Sequence, residues 1–358
     1  MSWKTPSLLL HNTAVNALNR TQLVYLTEPA DWVIRETGRA LAGGLSSAGG
    51  PKMRISAATW GIRNSVIHFG SLHTMLWQQG IRQVHSSNRA IGTIFHLIPG
   101  AARNQHLPAL MDSLQLVHTA CTLTKRALIE SGMAGESIRV IPLGVDPAVY
   151  SPASDAQRDS LREQSGIPPD AFVVGSFQKD GIGWEAGMAP KPEKGPDVLV
   201  ATIVEAAKHL PIHVLLVGPA RGYVMNELER CDIPYTAIGH VSTADMVAQY
   251  YHALDAYLIS SRIEGGPKAL LESWASGIPV VTTNVGMVPD LAEHGRSALV
   301  SQEIDPETLA ESLVTLARNP SLAQRLASFG RVVVQAHAWP RIAGQYYDQL
   351  YRPLDPTL

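Results

Sequence analysis

The sequence predicts an α/β fold of two doubly wound, Rossmann-like domains that face a central cleft. Its 358 residues exceed the needs of one ordinary core and suit two domains of about 150 to 200 residues each. Short apolar runs alternate with longer segments of helical period in both halves. The runs lack alternation between apolar and polar residues, which is typical of parallel strands covered by helices on both faces. Such sheets bind ligands at the carboxyl ends of their strands.

Six apolar runs in the first half predict the strands of one sheet. They cover residues 22–27, 53–58, 64–69, 91–96, 114–119 and 138–143. The polar, proline-containing stretch 145–160 that follows predicts a junction between domains. We therefore expect a first domain over residues 1–155.

The pattern of strands and helices restarts after the junction. Six further apolar runs predict a second sheet, and they cover residues 171–177, 212–218, 235–239, 256–261, 278–284 and 297–301. Segments of helical period, such as 197–210 and 306–319, separate them. We expect a second domain over residues 165–338 and a C-terminal helix at about 339–358 that packs back on the first domain.

Charge is distributed unevenly along a chain whose formal net charge is only −2. Residues 1–160 carry 14 Lys and Arg against 9 Asp and Glu, a net charge of +5, and the remainder has a net charge of −7. The small total gives no signal for nucleic-acid binding. The basic excess predicts that the first domain faces an anionic partner or an anionic membrane, and a scattered, solvated basic surface is the alternative.

Cysteine content and hydropathy predict the compartment. Cys121 and Cys231 lie in different halves and are too few for a secreted disulfide scaffold. The run of three leucines at 8–10 is far shorter than a signal-peptide core, and no apolar run reaches the ~18 residues of a membrane helix. We expect a cytoplasmic protein, held peripherally at the inner membrane face if its basic surface binds lipid.

The stretch SRIEGGPKALLE, residues 261–272, follows a predicted strand and begins a predicted helix. Pro267 suits the first helical position, because its missing N–H would have no partner there. The N–H groups of Gly265, Gly266, Lys268 and Ala269, with the helix dipole, predict an anion site. Lys268 could add a point charge.

Two glutamates flank this predicted anion site. Glu264 lies in the turn, and Glu272 lies five residues beyond Pro267, roughly 7–8 Å along the axis at about 1.5 Å per residue. A ligand with a central diphosphate and hydroxyl groups at both ends matches this layout, as a nucleotide-sugar does. A dipole partner before a helix and a solvated mid-helix glutamate are the simpler interpretations of the two residues taken singly.

The stretch resembles the E-x7-E signature of the retaining, GT-B-fold glycosyltransferases of family 4. Residues 139–152, 213–220 and 237–300 extend the resemblance, whereas the first ~110 residues match mainly in strand order. The resemblance implies that Glu264 binds hydroxyls of the donor sugar and Glu272 the ribose. It also implies a set of residues for the rest of the donor: Gly265, Gly266, Pro267, Lys268 and Ala269 for the diphosphate, and Gly239, His240 and Val241 for the base.

The resemblance further implies a basic pair after the first strand of the second domain. Lys179 and Lys194 are the candidates, with Lys191 inside an unusually long spacer that covers residues 180–193. In the first domain His96 resembles the family's active-site histidine after a strand, with a structural histidine as the alternative. His68 is a weaker candidate. Residues 27–38 replace the usual glycine-rich turn. Within them, Trp32 and Arg35 are candidates for the acceptor side, with a core tryptophan and a solvated arginine as the alternative.

The function implied is the metal-independent transfer of a hexose, with retained anomeric configuration, from a UDP- or GDP-linked donor to a hydroxyl acceptor. The acceptor could be a glycan, a lipid-linked molecule or a small molecule. No separate cofactor is expected. The chain contains no D-x-D triplet. Neutralisation of the leaving diphosphate is therefore expected to fall to Lys179, Lys194 and the helix N-terminus.

Other functions remain as alternatives. A non-catalytic partner subunit of the same fold would be expected to lack one of the donor residues, and Glu264, Glu272 and Lys194 are all present. A phosphorylase or an epimerase is the second alternative. A hydride-transfer enzyme is disfavoured, because residues 181–187 have the wrong glycine spacing. A serine hydrolase is disfavoured because no G-x-S-x-G occurs.

Overall fold

The computed structural model describes residues 22–28, 33–355 and 357–358, together with positions 10, 14, 15, 17 and 18. These residues form two compact units. The first unit comprises the described residues up to Leu143 and, in addition, Trp339–Leu358. The second unit is Gly144–Ala338.

The first unit contains a six-stranded parallel sheet with the order β2-β1-β3-β4-β5-β6. Its strands are β1 Leu23–Leu26, β2 Met53–Ser56, β3 Val66–Phe69, β4 Arg89–Thr93, β5 Leu116–Thr119 and β6 Ile138–Val140. Its α-helices up to residue 143 are α1 Val33–Ser47, α2 Leu72–Leu76, α3 Leu107–Met111 and α4 Thr122–Glu130. Shorter 3₁₀ turns cover Trp77–Gln83, Ala102–His106 and Gly135–Ser137.

The second unit contains another six-stranded parallel sheet, with the order β12-β11-β10-β7-β8-β9. Its strands are β7 Phe172–Phe177, β8 Ile212–Val217, β9 Tyr235–Ile238, β10 Ala256–Ile259, β11 Val280–Thr283 and β12 Leu299–Ser301. Its α-helices are α5 Asp155–Gln164, α6 Pro196–Ala207, α7 Gly222–Arg230, α8 Ala244–Tyr251, α9 Lys268–Ala275, α10 Val288–Leu291, α11 Pro306–Arg318 and α12 Pro320–Gln335. A 3₁₀ turn covers Pro192–Lys194.

The C-terminal segment returns to the first unit. Helix α13, Trp339–Tyr346, continues into a π-helical turn, Tyr347–Tyr351, and packs against α1. A Cβ at Gly44 of α1 would lie 2.6 Å from the carbonyl oxygen of Trp339, so glycine permits this close approach. Ile342 and Leu350 are fully buried in the cluster that covers one face of the first sheet. The segment is therefore part of the core of the first unit.

A chain of hydrogen bonds connects this segment to the first sheet. His118 Nε2 lies 2.9 Å from the Ile141 carbonyl oxygen, so Nε2 carries the hydrogen and Nδ1 accepts from Thr93 Oγ1 at 2.9 Å. The hydroxyl of Thr93 then accepts from His68 Nε2 at 2.7 Å. His68 Nδ1 in turn accepts from the Tyr351 hydroxyl at 2.8 Å. Both histidines are fully buried and are neutral in this arrangement.

The structure confirms the two doubly wound sheets, and eleven of the twelve strands lie within the apolar runs that predicted them. The exception is β4, which begins at Arg89, two residues before its predicted run. The boundary between the units differs from the predicted end of the first domain at residue 155. It falls at Leu143 and Gly144, because the expected junction is attached to the second unit. Arg162 of α5 is buried, pairs with Asp255 at 2.7 Å and donates to the Ala253 carbonyl at 2.8 Å.

Among the described residues, none forms a helix that is both long and apolar enough to cross a membrane.

Candidate functional site

The second sheet reverses its strand order between β7 and β10, which are hydrogen-bonded neighbours. In open α/β sheets, ligands bind outside the carboxyl ends of the strands at such a switch point. The residues that follow β7 begin at Gln178, and those that follow β10 begin at Ser260. Lys179 and Glu264 therefore come from the two segments that border the switch point.

The segment after β10 turns through Gly265 and Gly266 into α9. Pro267 precedes the helix, with φ −64° and ψ 101°, and the helix begins at Lys268. The prediction that Pro267 occupies the first helical position was therefore wrong by one residue, because its ψ is extended rather than helical. The first N–H groups of a helix have no partner within the helix and favour anions. The predicted diphosphate residues thus lie at the N-terminus of α9.

Two glycines that the sequence analysis did not single out shape this turn. Gly195 has φ +59°, and a Cβ there would lie 2.0 Å from the Ser260 carbonyl oxygen. Gly286 has φ +56°, and a Cβ there would lie 3.0 Å from Pro267 Cδ and 3.1 Å from the Gly265 carbonyl oxygen. Both glycines let another segment contact the turn through its backbone. The only local signal was their position, since Gly195 precedes a helix and Gly286 follows a strand.

Lys194 and Glu264 form an ion pair at the switch point, although they are 70 residues apart. Lys194 Nζ lies 2.6 Å from Glu264 Oε1, and the hydroxyl of Ser261 donates to the same oxygen at 3.0 Å. The side chains are 24% and 11% exposed, so the pair is accessible without being fully solvated. An ammonium has three hydrogens, which leaves two of them for a ligand.

Backbone and side-chain contacts hold the Lys194 segment on the turn. The N–H groups of Arg262 and Ile263 donate to the Glu193 carbonyl at 2.9 and 3.0 Å. The guanidinium of Arg262 makes two bonds to the Asp197 carboxylate, at 2.7 and 2.6 Å. These bonds hold the pKa of Asp197 below its ordinary value. Lys194 is thus positioned by its neighbours on both sides.

Glu272 lies on α9 and is only 8% exposed. Its Oε2 accepts a hydrogen bond from the Tyr251 hydroxyl at 2.9 Å, and its Oε1 lies 3.6 Å from Lys268 Nζ. Burial, and then the charge of Glu272, raise the pKa of Tyr251 well above its ordinary value, so the hydroxyl stays protonated and donates. Tyr251 was not among the predicted site residues, because no local pattern gives a signal for it.

Three lysines lie near one another on the β7 side. Burial lowers the pKa of Lys191, and the charges of Lys179 and Lys194 lower it further. Gln178, next to Lys179, donates from Nε2 to the Lys194 carbonyl at 3.4 Å. The structure therefore brings together Lys179 and Lys194, the two lysines predicted for the diphosphate, and adds Lys191 to them.

The other candidate residues lie elsewhere. Gly239 and His240 are exposed and Val241 is half-buried, in the loop after β9 at the edge of the second sheet. This loop lies at the same carboxyl edge as the turn after β10. None of the three makes a contact that tests the prediction of base binding.

The histidine candidates belong to the first unit. His96 is half-buried and follows β4 by three residues. His68 is a structural residue, because both of its ring nitrogens are engaged in the buried hydrogen-bond chain. Arg35 is half-buried on α1, and Trp32 lies outside the described residues. Within the described part of the chain, no three His, Cys, Asp or Glu side chains cluster as a metal site would require.

Residues 179–319 match the family model of the glycosyl transferases group 1. The matched residues lie within the second unit. They include Glu264, Glu272, Lys179 and Lys194, and the match confirms the resemblance that the E-x7-E stretch predicted.

Curated relatives match at modest identity. The D-inositol 3-phosphate glycosyltransferase of Corynebacterium jeikeium (strain K411) is 27% identical over 62% of this chain and 53% of its own length. The mannosylfructose-phosphate synthase of Agrobacterium fabrum is 26% identical over 68% of this chain and 54% of its own length. The chain thus spans about half the length of these two proteins.

Solved structures share the fold over most of the chain. HepE of Anabaena, solved in complex with UDP and glucose, has a TM-score of 0.73 at 17% identity and covers 92% of this chain and 99% of its own. Sucrose-phosphate synthase of Thermosynechococcus elongatus has a TM-score of 0.75 at 18% identity and covers 95% of this chain and 100% of its own. At these identities the likeness shows the fold, and the fold is GT-B.

Proposed function

We propose that this protein is a retaining glycosyltransferase that moves a hexose from a UDP- or GDP-linked donor to a hydroxyl acceptor. The observation that carries the proposal is the arrangement around the N-terminus of α9. The Lys194–Glu264 pair and the buried Glu272 flank that N-terminus at the switch point of the second sheet, within the residues that match the group 1 model. Ammonium groups and backbone N–H groups suit a diphosphate, and carboxylates suit sugar hydroxyls.

Each residue has a role in this proposal. Lys179, Lys194 and the N-terminus of α9, with Lys268 and Ala269, neutralise the diphosphate as it departs with the electron pair of its bond to the anomeric carbon. Glu264 accepts hydrogen bonds from the donor sugar and Glu272 from the ribose. Gly239, His240 and Val241 border the base. The acceptor hydroxyl attacks the same face of the sugar, and its proton passes to the departing diphosphate.

The ion pair has an electrostatic consequence for donor binding. Because Lys194 neutralises Glu264, a diphosphate that approaches the α9 N-terminus meets no unbalanced carboxylate there. The same lysine keeps hydrogens for a phosphate oxygen. Glu264 is thereby aligned before the donor binds, which lowers the cost of ordering it. The likeness to HepE, which was solved with UDP and with UDP-glucose, supports this donor class.

The first unit is proposed to receive the acceptor, with His96 as a contact to the acceptor or to the transferring sugar. Its sequence has a basic excess of +5 over residues 1–160. We propose that this surface binds an anionic acceptor or the inner face of an anionic membrane, so that a cytoplasmic enzyme is held there reversibly. The transfer is proposed to proceed without a metal ion, because lysines supply the counter-charge.

Glutamine substitutions test the proposed donor site. Glu272→Gln should weaken the binding of UDP or GDP by roughly 1.5–3 kcal/mol, the value of a hydrogen bond to a charged group. Glu264→Gln should leave binding of the free nucleotide nearly unchanged and should lower turnover with the intact donor. Isothermal titration and a steady-state transfer assay measure the two effects.

A matched control is Glu293→Gln, which changes an exposed carboxylate paired with Arg296 at 2.8 Å. It should match the parent in both assays. The proposal fails if Glu264→Gln and Glu272→Gln also bind nucleotide and transfer sugar as the parent does. A parent that binds neither nucleotide would refute it directly.

A further inference from the structure

The loop of residues 179–191 is firmly attached at both ends. Asp180 forms an ion pair with Arg221 at 3.1 Å, and both side chains are almost completely buried. The Lys191 N–H donates to the Asp180 carbonyl at 2.7 Å and closes the loop. Inside it, the Ile182 N–H donates to the Ala189 carbonyl at 2.8 Å. The loop therefore has a defined backbone structure within the second unit.

Glycines allow the same loop to pack closely against the connection between β8 and α7. A Cβ at Gly181 would lie 2.3 Å from the Ala220 carbonyl oxygen, and one at Gly187 would lie 2.4 Å from the same atom. The Gly222 N–H donates to the Ala186 carbonyl at 2.7 Å. Backbone thus packs on backbone, which fixes the orientation of the residues between the two glycines.

Trp184 lies at the exposed part of the loop and is 57% exposed. One face of its ring nevertheless covers the ammonium of Lys179, whose Nζ lies 3.6 Å from the ring centroid. A cation over an aromatic face is attracted by the ring quadrupole. A lysine side chain has four rotatable bonds, so this contact restricts where its charge can lie.

Lys191 adds a third positive charge close to those of Lys179 and Lys194. Its carbonyl accepts from the Lys194 N–H at 3.0 Å, and its N–H bonds to Asp180, the neighbour of Lys179. Burial and the charges of Lys179 and Lys194 all lower the pKa of Lys191. Like charges held together by a fixed backbone repel one another, and an anion with more than one negative charge relieves that repulsion.

We propose that residues 179–191 are a phosphate-binding loop, in which Lys191 supplies a third ammonium to the diphosphate and Trp184 is a positioning residue that holds Lys179 beside it. The inference rests on the proposed function and deepens it, since it adds two residues to the donor site. Lys191 touches the ligand, whereas Trp184 acts through Lys179. The two roles predict different behaviour on substitution.

A double-mutant cycle tests the role of Trp184. Isothermal titration with UDP, GDP and ADP compares the parent with Trp184→Ala, Trp184→Phe, Lys179→Met and the double variant Lys179→Met/Trp184→Ala. Trp184→Ala should weaken the nucleotide that the parent binds by roughly two- to fivefold, as expected for an exposed cation–π contact. Trp184→Phe should recover most of the loss. In the Lys179→Met background, Trp184→Ala should have no further effect.

Trp60→Ala is the matched control, since Trp60 is 49% exposed and lies in the first unit. It should bind like the parent. An equal loss from Trp184→Ala with and without Lys179 would show that the ring contacts the ligand itself and would overturn the positioning role. An unchanged affinity in Trp184→Ala would overturn it as well.

Lys191→Met tests the third charge. It should weaken nucleoside diphosphate binding by about tenfold and leave binding of the matching nucleoside unchanged, because only the phosphates contact the ammonium. Lys208→Met, which removes an exposed lysine paired with Glu205, should change neither. A parent that binds nucleotide while Lys191→Met binds it equally well overturns this inference alone. A parent that binds none of the three nucleotides overturns the proposed function too.

Discussion

Acid is expected to destabilise the first unit by protonating the histidines that link the C-terminal segment to its sheet. His68 and His118 are fully buried, and each ring nitrogen of both has a hydrogen-bond partner. The groups around them are neutral: Tyr25 of β1, Thr93 of β4, Phe95, and Tyr346 and Tyr351 of the C-terminal segment. None of these contacts provides a carboxylate to balance a positive imidazolium.

The size of the expected loss of stability follows from the pKa of His118, which burial lowers to about 4 from an ordinary value of 6.5. Below pH 6.5 the unfolded chain binds a proton at this residue, whereas the folded chain binds it only near pH 4. The free energy of unfolding therefore falls with pH across that window, by about 1.4 kcal/mol per unit and about 3 kcal/mol in all. Burial, and then the charge of His118, lower the pKa of His68 as well, so His68 acts in the same direction.

Urea denaturation followed by circular dichroism between pH 7.5 and 4.5 measures this loss. Hydrogen exchange should show that the amides of Trp339–Tyr351 lose protection as the pH falls. His118→Gln, whose amide can donate to the Ile141 carbonyl, should flatten the pH dependence, and His85→Gln, at an exposed histidine, should not. Equal losses of stability in the parent and in His118→Gln between pH 6.5 and pH 4.5 would show that His118 does not cause the acid sensitivity.

Three further predictions concern the site and the surface. Transfer activity should survive excess EDTA, because in the proposed donor site lysines supply the counter-charge of the diphosphate. Full loss that Mn²⁺ or Mg²⁺ restores would contradict this. Gly195→Ala should lower kcat/KM more than tenfold and reduce thermal stability, because its Cβ would lie 2.0 Å from the Ser260 carbonyl oxygen. The control is Gly183→Ala, at a glycine with φ +81° and open space around it. It should lower the free energy of unfolding by only ~1 kcal/mol, the energy of a left-handed backbone at a residue with a Cβ. Co-sedimentation with vesicles of anionic lipid should be visible at low salt and lost by about 0.5 M salt, as screening predicts; equal binding to neutral vesicles, or binding to neither kind, would leave the basic surface without a membrane role.

The sequence predicted the strands well because strands buried on both faces leave continuous apolar runs, such as Phe172–Phe177. It also identified the turn at Glu264, because the glutamate, two glycines and proline that form it are close together in the sequence. It could not identify contacts between distant segments. The Tyr251–Glu272 bond and the approach of Gly195 to Ser260 depend on tertiary packing, which no local pattern records. The helix α5 was missed because its exposed, polar sequence resembles a linker.

The return of Trp339–Leu358 to the first unit has a consequence for folding during translation. The second unit, Gly144–Ala338, is continuous in sequence, so all of its strands are available once residue 338 has left the ribosome. The core of the first unit is complete only after Ile342, Tyr346 and Leu350 have been synthesised and cover one face of its sheet. Until then Leu23 and Ile91 lack part of their cover, and a nascent chain at this stage exposes apolar surface. Of the two units, the one whose strands are synthesised earlier is thus the later to complete its core.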